Sequence, residues 1–416
     1  MGIGDVEVLV IGGGSAGIAA ARRLHEVNVS SMIVEARPRL GGRAWTVDAG
    51  GFALDLGCGW LHSADRNPWH KVAVSQGRTI DKTPPPWRRP SLPNNFPLAD
   101  QHKFFEAVGA FFARVDEAGE QASDMPASVL LEPGSRWNAL IGAIGTYSSG
   151  VELDRLSVRD FARYDDSGVN WRVVEGLGAT IAAHATGLSV TLECPVRRID
   201  HQGKRLQVDT AKGVLTAERA IVTLPSTVLA EEESLFVPAL PDKIAAARGL
   251  PLGHDDKLFL SLANAEEFEK DSRVFGRTDR SATGGYHIRP FGRPLIEAYF
   301  GGSLAANLEA KGERAFFDFA VSELVGLFGN TFATRIKPVG IHGWGRDPYA
   351  RGAYSSALPG KADCRAQLAA PVDDRLFFAG EACSPHDFST AHGGWSSGVT
   401  AAEQVIAVRN RETIAK

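Results

Sequence analysis

The stretch VEVLVIGGGSAGIAAARRLHEVNVSSMIVEA, Val6 to Ala36, decides the fold. VEVLVI is a short apolar run that reads as a strand. Gly12, Gly14 and Gly17 follow as G-x-G-x-x-G, and IAAARRLHEV reads as a helix. SSMIVEA then gives a second strand ending at Glu35. Strand, helix and strand within about 30 residues make a βαβ unit. The first glycine permits a tight turn, the second lets the backbone approach a pyrophosphate, and the third lets helix and strand pack closely. The helix N-terminus adds amide donors and a favourable dipole for phosphate. Glu35 can accept hydrogen bonds from a ribose diol. Strand, helix and carboxylate all fall where a dinucleotide site needs them.

The rest of the chain sets bounds. Its 416 residues predict two to three domains, or one α/β unit with a second lobe. Apolar residues at 44% and charged residues at 23% suit a globular enzyme. A net charge of −4 and the lack of any lysine or arginine run argue against nucleic acid and membrane surfaces. The 11 histidines show no zinc-type spacing, and the four cysteines have no C-x-x-C pair. No metal and no disulfide framework are expected, and a reducing cytoplasm fits best. The start lacks the pattern of a signal peptide, and no apolar run approaches the ~18 residues of a membrane span. Self-association is left open.

Strand and helix patterns return in distant pieces. TPPPWRRPSLPNNFP, Thr83 to Pro97, reads as a crossover out of the first domain. After it Phe104, Phe105, Val108, Phe111, Phe112 and Val115 recur at helical spacing and are expected to face a core. LSVTLECPVRRIDH, RLQVDTA and ERAIVTLP look like strands leading back to the first domain. The layout predicts an α/β protein. Residues 1–82, 188–228 and 340–416 form a discontinuous, Rossmann-like dinucleotide-binding domain, interleaved with a mixed α+β substrate domain from 83–187 and 229–339.

Beyond Glu35 the chain reads EARPRLGGRAW, which places Arg37, Arg39 and Arg43 around Gly41 and Gly42. Here the sequence resembles the flavin-containing amine oxidases, whose pattern Glu-x-Arg-x-Arg-x-Gly-Gly-Arg is present without a gap. LDLGCGWLHSADRNP, PVRRI and RLFFAGEACSPHDFSTAHGGWSSG resemble further segments of that family. The resemblance is faint between residues 85 and 180. It implies FAD, contacted by Gly12, Gly14, Ser15, Gly17, Glu35, Arg37, Arg43, Gly59, Trp60, Val196, Glu381, Thr390 and Ala391. Glu381 has support of its own, because a carboxylate after LFFAG sits at a strand end, where α/β ligands bind. Ala353 stands where monoamine oxidases carry the cysteine that bonds FAD, so the cofactor is expected to be noncovalent.

The same resemblance implies the chemistry. Gly253 and Lys257, in GHDDK, match a setting in which a lysine holds a water beside flavin N5. Desolvation there would disfavour the ammonium. On the sequence alone, the alternation in KLFLSL would leave the Lys257 face of its strand to water. Tyr354 and Trp395 fall where an aromatic cage would guide an amine, and His62 sits in a setting similar to one that holds a histidine in polyamine oxidases, which reads either as a substrate contact or as a hydrogen-bonded structural histidine. Asp165, Asp166 and Glu175 are candidates for a second ammonium. Cys58 and Cys383 read as buried small residues. The implied reaction is amine oxidation by hydride transfer to flavin N5. The imine hydrolyses to an aldehyde plus ammonia or an amine, and O2 becomes H2O2. Rivals are an L-amino-acid oxidase clamping a carboxylate through Arg289 or Arg293, a flavin-dependent desaturase, and a binding module without turnover.

Overall fold

Strand Asp5–Ile11 lies inside an eight-stranded sheet, in a computed structural model that describes residues 5–414. The first four residues, part of the chain start read above, and the last two lie outside the described residues. Val8, Leu9, Val10 and Ile11 are all buried, because the sheet is covered on both faces. Val8 and Val10 pack beneath helices Ser15–Glu26 and Ala391–Ile414, and Leu9 and Ile11 enter a second core on the other side.

The strand order runs Phe236–Val237, Val196–Asp200, Leu206–Thr210, Gly213–Val222, Asp5–Ile11, Ser31–Val34, Val190–Thr191, and Leu376–Phe378 pairs with Gly213–Val222. Gly213–Val222 serves two architectures. Its first half pairs antiparallel with Leu206–Thr210, and its second half runs parallel to both Asp5–Ile11 and Leu376–Phe378. The parallel part brings the ends of three segments, near residues 12, 35 and 380, to one edge, where ligands of open α/β sheets bind.

A second, five-stranded sheet is wholly antiparallel, in the order Ser272–Phe275, Gly285–Ile288, Leu295–Gly301, Asp255–Leu262, Ile336–Ile341. Leu258, Leu260 and Leu262 pack on the core formed with helices Gly302–Lys311 and Glu313–Phe328. The opposite face is not the solvated one that simple alternation suggests. Lys257 and Phe259 are 6% and 4% exposed, because this face closes onto the Phe52–Asp55 region of the first unit.

Two expectations need correction. Phe104, Phe111 and Val115 are buried on helix Leu98–Gly119, but Phe105 and Phe112 are exposed. Six apolar positions span about 120° of a helix, and the neighbouring core covers only one side of so wide a stripe. The domain limits also shift. Helix Leu177–Ala183, strand Phe236–Val237 and helix Pro241–Arg248 pack on the first sheet, although 83–187 and 229–339 placed them in the second unit. Their apolar faces complete the cores on either side of that sheet. Strand Ile336–Ile341 belongs to the second sheet almost to the expected boundary at 340. No described helix is long and apolar enough to cross a membrane.

Candidate active site

The glycine turn is shaped by close approach. Gly12 has φ +107°, and a Cβ there would lie 2.5 Å from Thr223 Oγ1. A Cβ on Gly17 would lie 1.9 Å from the Gly12 carbonyl oxygen, so the helix can enter only with hydrogen at that position. Gly14 differs: a Cβ there would meet nothing within 3.8 Å, which leaves one side of the turn open to a ligand. Gly41 N donates to Gly13 O at 2.8 Å, seating the arginine-rich loop against this turn. Glu35 is buried and accepts from Gly13 N at 2.7 Å and from Arg37 N at 2.8 Å. Each carboxylate oxygen keeps lone-pair capacity for a ribose hydroxyl. Arg37 pairs with Asp347.

Two helix N-termini meet at this turn. Ser15 Oγ donates to the Ala391 carbonyl, and Trp69 Nε1 donates to both at 3.1 Å. Thr390 Oγ1 accepts from Gly393 N at 2.9 Å and caps the closing helix. Glu381 accepts from Arg43 Nη1 at 2.8 Å, Ser355 Oγ at 2.6 Å and Ser389 N at 2.9 Å. Burial would raise its pKa, but Arg43, Ser355 and Arg365 outweigh that and hold the carboxyl below its ordinary range. Val196 begins a strand half-buried at the edge of the second core, and the neighbouring Cys194 N bonds the Glu35 carbonyl at 2.8 Å. The open turn, paired N-termini and buried acids at the strand ends fit a dinucleotide cofactor such as FAD.

Lys257 points from the second sheet into the junction. Its Nζ donates to the Asp55 carbonyl at 3.1 Å and pairs with Glu297 Oε1 at 3.2 Å. A Cβ on Gly59 would come within 3.2 Å of that nitrogen, so Gly59 keeps space before the lysine. Trp60 Nε1 reaches Tyr299 OH at 3.4 Å, and the ring stands 4.5 Å from Trp87. Burial raises the pKa of Glu297, but Lys257, His287 and Arg172 together hold it far below the carboxylate range. Glu297 thus sets a buried anion against the Lys257 nitrogen.

Tyr354 donates to the Tyr147 carbonyl, and burial together with nearby Asp255 pushes its hydroxyl far up. The ring is therefore a neutral wall. Asp255 stands two residues before Lys257 on the same strand, hence on the same face. Burial pushes its carboxyl well up, although Lys257 opposes this, and its Oδ1 has no partner.

Trp395 stands in the first turns of the closing helix. It lies edge-on to Trp69 at 4.7 Å and beside His184 at 5.1 Å. Among the described residues no ring contact joins it to Tyr354. Gly394 and Gly398 let the same helix approach Ser15 and Ala16, since a Cβ on Gly398 would lie 2.1 Å from the Ala16 carbonyl oxygen. His62 Nδ1 bonds Asn170 Oδ1 at 2.6 Å, and burial lowers its pKa, keeping the ring neutral.

Other candidates are occupied elsewhere. Asp165 pairs with Arg66 on the surface, Asp166 holds Ser63 and the Gly168 amide, and Glu175 binds Thr79. Arg289 donates to the Phe268 carbonyl, and Arg293 to those of Ala53 and Val174. Burial pushes the Cys58 and Cys383 thiols up to about 12, so both are inert. Among the described residues no group of three or more His, Cys, Asp or Glu is arranged to hold a metal. Sequence reasoning missed Glu297, Asp255 and Arg172. A lone acid in the apolar strand PLIEAYFG was the available signal, since buried acids need partners.

The family described as flavin containing amine oxidoreductase matches residues 15–77 and 98–406. Polyamine oxidase 4 of Oryza sativa subsp. japonica is 28% identical over 95% of this chain and 88% of its own length. Polyamine oxidase 2 of Arabidopsis thaliana is 28% identical over 95% of this chain and 87% of its own. Lysine-specific histone demethylase 2 of Homo sapiens is 25% identical over 96% of this chain, which spans 53% of that protein.

Proposed function

The chain belongs to the flavin-containing amine oxidoreductases, and from that premise we propose that it oxidises a di- or polyamine with noncovalent FAD and O2, in the cytoplasm. The observation that carries the reading is Lys257, a buried cation aimed between Gly59 and Tyr299 at the junction of the two units. FAD, when bound, takes two electrons and a hydrogen from the carbon beside the amine nitrogen and delivers them to O2. The chain does the rest. The glycine turn and Glu35 anchor the dinucleotide, and Arg43 with Glu381 closes the strand-end side. Tyr354 supplies a flat apolar face for the reacting carbon. Lys257 holds a polar donor at the reacting edge. Asp255, beside Tyr354, offers an unpartnered oxygen as acceptor for a second substrate nitrogen, as the names of the plant relatives suggest.

Ala353 has no side chain able to bond the cofactor, which supports noncovalent FAD. The four cysteines are unpaired, in keeping with a reducing compartment. The L-amino-acid reading is disfavoured because both clamp candidates, Arg289 and Arg293, are spent on backbone carbonyls. An anaerobic titration of the FAD-loaded protein with a monoamine, a diamine, a polyamine and L-amino acids tests the proposal. The flavin should bleach with amines, fastest with di- or polyamines. Bleaching by amino acids alone would overturn it.

A further inference from the structure

Behind Lys257 lies a row of buried ionisable groups that leads to the surface. Glu297 Oε1 faces Lys257 Nζ at 3.2 Å, and Glu297 Oε2 lies 3.7 Å from His287 Nδ1. His287 Nε2 meets Asp271 Oδ1 at 3.0 Å, and Asp271 Oδ2 lies 3.8 Å from Lys270 Nζ, whose side chain is 48% exposed. Glu297 and Asp271 are 8% and 1% exposed, and His287 3%. Strand register builds the row: His287 stands directly opposite Glu297 on the neighbouring strand. His287 Nδ1 and Asp271 Oδ2 have no hydrogen-bond partner, so the row is not saturated. Beside Glu297, a cavity of about 20 Å³ lined by Asp55, Gly59, Trp60 and Arg172 has room for one water.

We propose that His287, held between Glu297 and Asp271, relays protons between the surface at Lys270 and the Lys257–Glu297 pair. The proposal rests on the amine-oxidase reading. Amine plus O2 plus one proton gives iminium plus H2O2. The iminium keeps its nitrogen protons, and two electrons and one hydrogen pass from carbon to oxygen. The second hydrogen of the peroxide must enter as a proton at the buried site. Lys257 can donate it and recover it along the row.

The groups facing His287 fit this role. Glu297 comes from strand Leu295–Gly301, and Asp271 from the turn before Ser272–Phe275. Arg172, from strand Arg172–Val173, bonds Asp271 at 2.9 Å and lies 4.0 Å from Glu297 and 3.7 Å from Asp81. Arg273 is the cross-strand neighbour of His287. Burial raises the pKa of Asp271, but His287 and Arg172 hold it at about 2, and Glu297 is held low as well. Both carboxylates stay anionic, and the imidazole set between them has two ring nitrogens, one towards each acid, through which a proton can pass.

The test uses the FAD-loaded protein. Carbon-13 histidine NMR from pH 5 to 9, with no substrate, should show one signal that titrates, is absent in His287→Gln, and has its midpoint lowered in Glu297→Gln. His287→Gln should be reduced by amine at the normal rate, but reoxidise at least tenfold more slowly. Its solvent isotope effect should change as well. An imidazole that never titrates, or normal reoxidation in His287→Gln, overturns the relay. Failure of every amine to bleach the wild-type flavin would instead overturn the amine-oxidase reading. If His287→Gln fails to fold, the Glu297→Gln shift of the wild-type imidazole signal decides alone.

Discussion

Lys257→Met deletes the cation that faces Glu297. The two groups are each 8% exposed and 3.2 Å apart, so the substitution strands a carboxylate in the interior. Breaking a buried pair from one side costs about 3–5 kcal/mol. His287 at 3.7 Å and Arg172 at 4.0 Å remain near Glu297, which argues for the lower end, about 3 kcal/mol. For a chain of this length that is a fall in Tm of roughly 3 °C, measured at saturating FAD. The pH dependence carries a sign. In the wild type the Glu297 pKa is depressed, so its contribution is present above the ordinary carboxyl pKa and is lost as pH falls through the depressed value. Without Lys257, burial dominates and the carboxyl rises. The gap between variant and wild type should be widest near pH 7 and shrink towards about pH 5, as the stranded acid takes up a proton. Lys257→Met/Glu297→Gln should recover most of the loss at neutral pH. A gap below about 1 kcal/mol, a gap independent of pH, or a double variant no better than the single would refute the buried-pair account.

Two other substitutions address separate parts of the site. Gly17→Ala forces a methyl to within 1.9 Å of the Gly12 carbonyl oxygen, so the helix must shift. The protein should purify colourless or lose FAD on dialysis, with at least about 1–3 kcal/mol of stability lost, as flavin absorbance and a denaturant titration would show. Tyr354→Leu and Trp395→Leu separate the cleft wall from the helix packing. The tyrosine variant should lose kcat/KM about tenfold or more and keep FAD, whereas the tryptophan variant should lose about 2 kcal/mol of stability and keep substrate kinetics near wild type. A reversed pattern in steady-state assays would return Trp395 to the substrate cleft.

The dinucleotide turn was legible in Val6 to Ala36 because its requirements are local. Gly12 needs a positive φ, Gly17 needs a missing Cβ, and Glu35 must stand at the end of the next strand; all three act across a few bonds or one packed helix. The family resemblance of the Glu35–Arg43 loop and of the closing segment was legible for the same reason. Tertiary structure alone decided what Lys257 faces. Residues 55, 257 and 297 come together through sheet register and the docking of two units, and no spacing in the sequence encodes that meeting. The same holds for Trp395: the flanking motif marked its place in the chain, but its ring neighbours, Trp69 and His184, come from distant segments. Backbone shape is written residue by residue. The partner of a buried charge is set by distant strands brought into register, and only in the folded chain does that partner hold Glu297 as an anion beside its lysine.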